Sequence, residues 1–266
     1  MTNFRKTAWL IAALAAGGAN AAKVPLYDDF SGTGIDRAKW VETESWRYVD
    51  DSKGRLFLGR WVQGGNTSDS GLTLDSWNLN MTQSSPAKSL RATITVTDIQ
   101  VNELCPSNPT PTFSRARLLG AFFNIRPGGP IQGDRTGDVL AQMRVGRLSN
   151  SADAPGVLRV QGVLSQCTNA DCSTSGLIGN VADFGTVQVG TAVAAQIDWD
   201  KKNNKFTFTR DKLPTIQVSY TDDDSVAPSL PFNNLSLRNE VANCLSGARV
   251  KAGVSAEFDN VGLAAP

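Results

Sequence analysis

Apolar and polar residues alternate along most of the chain beyond residue 22. In Leu90–Thr97, Leu90, Ala92, Ile94 and Val96 share one side, and Arg91, Thr93, Thr95 and Thr97 the other. Val139, Ala141, Met143 and Val145 alternate with Leu140, Gln142 and Arg144. Val193, Ala195, Ile197 and Trp199 repeat the pattern, as do Phe206 and Phe208 between Thr207 and Thr209. Near the C-terminus, Val250, Ala252, Val254, Ala256 and Phe258 alternate with Lys251, Gly253, Ser255, Glu257 and Asp259. Side chains on a strand point to opposite faces with a period of two, so each segment predicts a strand that covers a core with one face. Turn-forming stretches separate the runs: Pro127-Gly128-Gly129-Pro130, Asp153-Ala154-Pro155-Gly156, Asp200-Lys201-Lys202-Asn203-Asn204 and Asp222-Asp223-Asp224-Ser225. A helical turn is expected only near Asp36-Arg37-Ala38-Lys39. The pattern predicts an all-β protein, a single-domain antiparallel β-sandwich (jelly roll) of about a dozen strands, without internal repeats.

Residues 1–21 read as a signal peptide. Arg5 and Lys6 precede the short apolar run Ala8–Ala16, and Ala19-Asn20-Ala21 forms an A-x-A cleavage site. The run is too short for a bilayer span, which needs about 20 apolar residues. The expected mature domain is 22–266, secreted or periplasmic and without a membrane span. A formal net charge of +1 gives no bulk attraction to nucleic acid. The chain has no histidine. That excludes Ser-His-Asp and Cys-His catalysis and zinc sites with imidazole ligands.

Four cysteines suit export to an oxidising compartment. They allow three connectivities. Cys167 and Cys172 flank the turn-forming Thr168-Asn169-Ala170-Asp171, which favours a local staple and leaves Cys105 with Cys244.

The two ends carry the most specific pattern. Tyr27-Asp28-Asp29-Phe30-Ser31-Gly32 and Val254-Ser255-Ala256-Glu257-Phe258-Asp259-Asn260-Val261 both set carboxylates beside a core aromatic. This pair, with the Ile197-Asp198-Trp199-Asp200 hairpin, resembles the concanavalin A-like lectin/glucanase superfamily, which includes laminin G-like domains. The resemblance implies that the first and last strands lie together in one sheet. It also implies a structural calcium near those termini, for which Asp28, Asp29 and Asp259 would supply carboxylates. Glucanases of the superfamily carry an E-x-D-x-x-E or E-x-D-x-E strand; the nearest match is Glu42-Thr43-Glu44-Ser45-Trp46-Arg47. Its third position is Trp or Arg, so the carboxylate set is incomplete, and a retaining mechanism needs two carboxyls about 5 Å apart. Lyases on this fold often pair His with Tyr, and that version is excluded.

Two features point to a ligand. Trp40, Trp46, Trp61, Trp77 and Tyr48 crowd the first third of the chain, and alternation puts Glu44, Trp46 and Tyr48 on one strand face. Residues 115–159 hold seven arginines, no lysine and three aspartates, a local charge of +4. Guanidinium binds carboxylates bidentately, which suits an anionic polysaccharide. The expected ligand residues are Glu44, Trp46, Tyr48, Arg117, Gln142 and Arg144. The expected function is a secreted, non-catalytic carbohydrate- or polymer-binding sandwich. The alternatives are a polysaccharide hydrolase using Glu42 or Glu44, a lyase using Tyr as base with Arg and Gln neutralising a uronate, or a structural or adhesion protein of the cell envelope.

Overall fold

A computed structural model describes residues 23–41, 47–50, 52–83, 86–101 and 103–265. The expected signal peptide, Glu42, Glu44 and Trp46 lie outside the described residues. Among the described residues there are fifteen strands: β1 (Leu26–Asp28), β2 (Trp40–Val41), β3 (Arg47–Asp50), β4 (Arg55–Gln63), β5 (Leu72–Met81), β6 (Ser89–Gln100), β7 (Phe113–Asn124), β8 (Asp138–Leu148), β9 (Val157–Cys167), β10 (Ser175–Gln188), β11 (Ala192–Asp200), β12 (Lys205–Arg210), β13 (Ile216–Ser219), β14 (Asn233–Ala242) and β15 (Lys251–Ala264). They form two antiparallel sheets. One runs β13-β12-β11-β6-β15-β4-β3, with β1 added beside β15; the other runs β10-β9-β8-β7-β14-β5-β2. No helix among the described residues is long and apolar enough to cross a membrane.

Alternation becomes a core because the two sheets turn their apolar faces to each other. Leu90, Ala92, Ile94 and Val96 of β6 and Val193, Ala195 and Ile197 of β11 are buried on one side of it. Val139, Ala141, Met143 and Val145 of β8 and Leu235 and Leu237 of β14 are buried on the other. Phe122, Phe123, Trp199, Phe206 and Tyr220 pack as an aromatic cluster at one end, with Trp199 Nε1 donating to Tyr220 Oη at 2.8 Å. The β11–β12 hairpin turns through a 3₁₀ turn, Lys201–Asn203, capped by Asp200 and closed by left-handed Asn204.

The chain ends meet as the terminal pattern implied. Leu26 and Asp28 of β1 pair with Gly262 and Val261 of β15. Phe30 and Phe258 are buried in the same core. Trp40, one of the tryptophans crowding the first third of the chain, is packed there at 1% exposure, stacked on Phe30 at 5.6 Å. Trp77 also faces inward, beneath the Arg60 guanidinium, which forms an inter-sheet ion pair with Asp75 at 2.6 Å. Burying an indole removes so much apolar surface from water that a core position outcompetes exposure for most tryptophans.

Disulfides join Cys105 to Cys244 and Cys167 to Cys172. The first staples the 101–112 connection to the end of β14 within a satellite cluster of Val101, Val241, Ala242, Val250 and Ala252. The second closes a five-residue turn beside the outer face of the seven-stranded sheet.

Candidate functional site

The outer face of the seven-stranded sheet carries a groove of about 530 Å³. It crosses β5, β14, β7 and the start of β8, and two smaller hollows, of about 370 and 140 Å³, continue it over β7, β8 and β9. The residues alternating with the core set form its floor: Arg115 and Arg117 of β7, Gln142 and Arg144 of β8, Ser236, Arg238 and Glu240 of β14, and Asn78 and Asn80 of β5. Register explains the grouping. Arg117 lies opposite Arg144 on one side and Ser236 on the other, and Arg115 lies opposite Arg238.

Four guanidinium groups line the groove and its larger continuation, from Arg115, Arg117, Arg135 and Arg238, against two carboxylates, Glu240 and Asp171, while Arg144 lies beside Arg115 in the smaller hollow with Arg147 and Arg159. Glu240 accepts from Arg238 Nε at 2.5 Å and pairs with Arg115 at 3.4 Å. Arg115 also lies over the Phe113 ring at 4.1 Å. Its opposite residue, Gly146, leaves it room: a Cβ there would sit 2.5 Å from the Arg115 Cβ. Arg144 donates through Nε and Nη2 to Gln161 Oε1, at 3.0 and 2.8 Å. Arg117, 5% exposed, donates to Ser236 Oγ at 2.7 Å, and the Ser236 hydroxyl donates in turn to Asn78 Oδ1 at 2.7 Å. Arg135 stacks over Phe232 at the wall.

The cluster is short of anions. Burial, then the like charges of Arg117 and Arg144, push the Arg115 pKa well below its usual value. Burial and then Arg238 lower that of Arg117 to about 9. Burial lowers Arg135 and Arg144 in the same direction. Nε of Arg115, Arg117 and Arg135, and Oε1 of Gln142, are buried without a hydrogen-bond partner. A buried guanidinium lacking its full set of acceptors costs free energy that a negatively charged ligand would offset.

One wall is the disulfide-closed turn carrying Asp171, Cys172 and Ser173; the other is Leu230-Pro231-Phe232. Asp138, fully buried at the start of β8, holds the second wall. Its carboxylate accepts from Asn124 Nδ2 at 2.7 Å, Ser229 N at 2.6 Å, Ser229 Oγ at 2.7 Å and Leu230 N at 3.4 Å. Asp138→Ala leaves these buried donors unpaired and is expected to destabilise the protein by about 3 kcal/mol. That corresponds to a fall in Tm of roughly 6–12 °C for a chain of this size, read by calorimetry.

The structure brings Arg117, Gln142 and Arg144 together at the groove. Tyr48 is on β3, on the outer face of the other sheet, stacked on Phe57. Of the seven arginines at 115–159, Arg126 pairs with Asp134, Arg147 binds the carbonyls of Asp153, Ala154 and Val157, and Arg159 pairs with Asp153. These three brace loops. Sequence reasoning missed Arg238 and Glu240, which lie about 80 residues beyond the cluster. Their one signal is the alternation of Asn234, Ser236, Arg238 and Glu240 with Leu235, Leu237, Asn239 and Val241.

At the paired termini, Asp28 accepts from Phe30 N at 3.0 Å and Trp40 Nε1 at 2.7 Å, with Lys39 at 3.4 Å. Asp29 accepts from Ser31 N, and Asp259 from the backbone and side chain of Asn260. Burial raises the Asp259 pKa, and Asp29 adds a smaller push. Among the described residues, the one tight group of metal-ligand types is Asp69 with Cys105 and Cys244, whose sulfurs are in a disulfide.

No protein-family model matches the sequence. No curated protein matches it. Among solved structures, LamAcat from Zobellia galactanivorans aligns at 12% identity and a TM-score of 0.44, over 88% of this chain and 95% of that one. A Bacillus licheniformis β-glucanase aligns at 9% identity and 0.44, over 90% and 97%. The alginate lyase from Klebsiella pneumoniae aligns at 12% identity and 0.42, over 91% and 99%. At these values the likenesses carry no inference about ligand or reaction.

Proposed function

We propose that the groove on the seven-stranded sheet binds an anionic polysaccharide, specifically a polyuronate, outside the cytosol. The observation that carries this reading is the excess of buried guanidinium over carboxylate, with three Nε donors left without acceptors. Carboxylates of a ligand offset that excess of positive charge, and guanidinium groups favour them in bidentate geometry. The amides of Gln142 and Asn234 line the same surface and suit a sugar's hydroxyls. A sugar acid offers both groups on one unit. The open groove suits an extended chain, and two disulfides accord with an exported protein.

Native gels cast with polyuronate or with neutral glucan test the proposal. The protein is expected to be retarded by polyuronate at low salt, with retardation falling steeply toward about 1 M salt, where the Debye length is ~3 Å. A folded sample that migrates unretarded through polyuronate gels would remove the reading.

A second reading is turnover of the same polymer. Glu240 favours it, as a carboxylate held on the groove floor by Arg115 and Arg238. The chain has no histidine, and its three tyrosines are elsewhere: Tyr27 against Trp40, Tyr48 on the opposite sheet, Tyr220 bonded to Trp199 and Asp224. Of the two groove carboxylates, Asp171 is on the wall accepting from Ser173 N, which leaves Glu240 as the candidate base on the floor among the described residues. Release of reducing ends or of unsaturated uronate separates turnover from binding alone, and Glu240→Gln should abolish it.

A further inference from the structure

On the far side of the sandwich, the outer face of the eight-stranded sheet holds a strip of aromatic rings. Phe57, Gly59 and Trp61 of β4 share that face, since Leu56 and Leu58 point into the core. Tyr48 of β3 pairs with Phe57, their rings 4.9 Å apart and 22° from parallel. Trp61 pairs with Gly253 of β15. Tyr48 is 52% exposed and Trp61 39%.

Glycines make this strip flat. A Cβ on Gly253 would sit 2.0 Å from Trp61 Cδ1 and 2.5 Å from its Nε1, so the indole lies down across β15 where any other residue would force it upright. A Cβ on Gly59 would meet Trp61 Cζ3 at 3.0 Å and Phe57 Cε1 at 3.1 Å, so both rings reach over the same glycine. Side chains on strands usually stand perpendicular to the sheet. Here Tyr48 stacks on Phe57, and the Phe57 and Trp61 rings approach each other over Gly59, so the three line one platform.

Its charge differs from that of the groove. Arg55 pairs with Glu257 at 2.7 Å and Lys53 with Asp50 at 3.1 Å, so the charges beside Phe57 and Tyr48 cancel. Pairing register sets exposed Gln63 and Gln100 on the Trp61 face, with Lys251 and the acid Asp98 beside them, so the border carries no excess of positive charge. Flat rings bordered by amides offer stacking to the C–H faces of sugars and hydrogen bonds to their hydroxyls, and no excess charge for an acid.

We infer that the Tyr48–Phe57–Trp61 platform is a second carbohydrate site, for a neutral glycan chain, on the opposite face of the sandwich from the cationic groove. It does not depend on what the groove binds. The full chain is run in native gels containing hydroxyethylcellulose, galactomannan or xylan, with and without excess polyuronate in the gel. The expected result is retardation by at least one neutral polymer, persisting with polyuronate present. Trp61→Ala and Tyr48→Ala should each weaken it at least tenfold, and Trp61→Phe, which keeps a ring over Gly253, should weaken it less. Three results would overturn the inference: a folded wild type unretarded by all three polymers, retardation abolished by polyuronate, or a folded Tyr48→Ala protein retarded like wild type. Tyr48 covers no glycine, so this last variant decides the matter even if Trp61→Ala fails to fold.

Discussion

Arg117→Met is expected to weaken polyuronate binding by about 2–5 kcal/mol, some thirty- to several-thousand-fold, because a desolvated charged partner at the centre of a site is lost. Arg117 borders both halves of the groove and is 5% exposed. A surface arginine would contribute a fraction of that, since exposed ion pairs are worth about 0–1 kcal/mol. The same substitution should not lower thermal stability. In the free protein Arg117 is buried facing Arg238 and Arg144, and replacing a buried, poorly compensated charge with an apolar side chain of similar length is often neutral or stabilising. Opposite signs for ligand affinity and stability would mark Arg117 as a residue kept for its ligand. Titration calorimetry with a polyuronate and a melting curve give both numbers. Affinity within threefold of wild type would remove Arg117 from the centre of the site. Arg117→Lys separates charge from geometry: it keeps the cation and loses the bidentate fork, so an intermediate loss is expected.

Removing the Cys105–Cys244 disulfide, as Cys105→Ala with Cys244→Ala, should destabilise the protein by about 5 kcal/mol in the chain-entropy account. The bond spans 139 residues. The Cys167–Cys172 bond spans five, and the same relation gives only about 2 kcal/mol for it. Alanine keeps the site apolar, which matters because Cys105 and Cys244 are buried among Val101, Val241, Val250 and Ala252. Denaturant unfolding, extrapolated to water with each protein's own m-value because the uncrosslinked chain unfolds to a more expanded state, measures the difference. A loss below about 2 kcal/mol would show that the satellite cluster holds that end of the sandwich without the bond. Cys167 with Cys172 replaced should show the converse pattern, small in stability and visible in ligand binding, because Cys172 lines the groove.

The candidate site was half legible in the chain. Arg117, Gln142 and Arg144 lie on neighbouring strands joined by one connection, so local alternation already aims them at one face. Arg238 and Glu240 come from β14, which pairs with β7 across more than a hundred residues of intervening chain. No pattern along the sequence specifies that register. Tyr48 and the arginines look alike in sequence as polar-face residues beside strands, yet β3 and β7 belong to different sheets. The tryptophans divide for a similar reason. Trp40 and Trp77 take inward positions, while the parity of β4 turns Trp61 outward, where two glycines let its ring lie flat.

The sequence by itself determined the period of two and the turns between strands, because both follow from local sterics and from which side chains must leave water; it favoured one pairing of the four cysteines without fixing it, and the meeting of the two ends came from the family resemblance. The tertiary structure alone decided which strands became neighbours, and with that which polar faces gathered charge and which gathered rings. Strand order rests on contacts between residues far apart in the chain, and a face has no charge until its strands are set side by side.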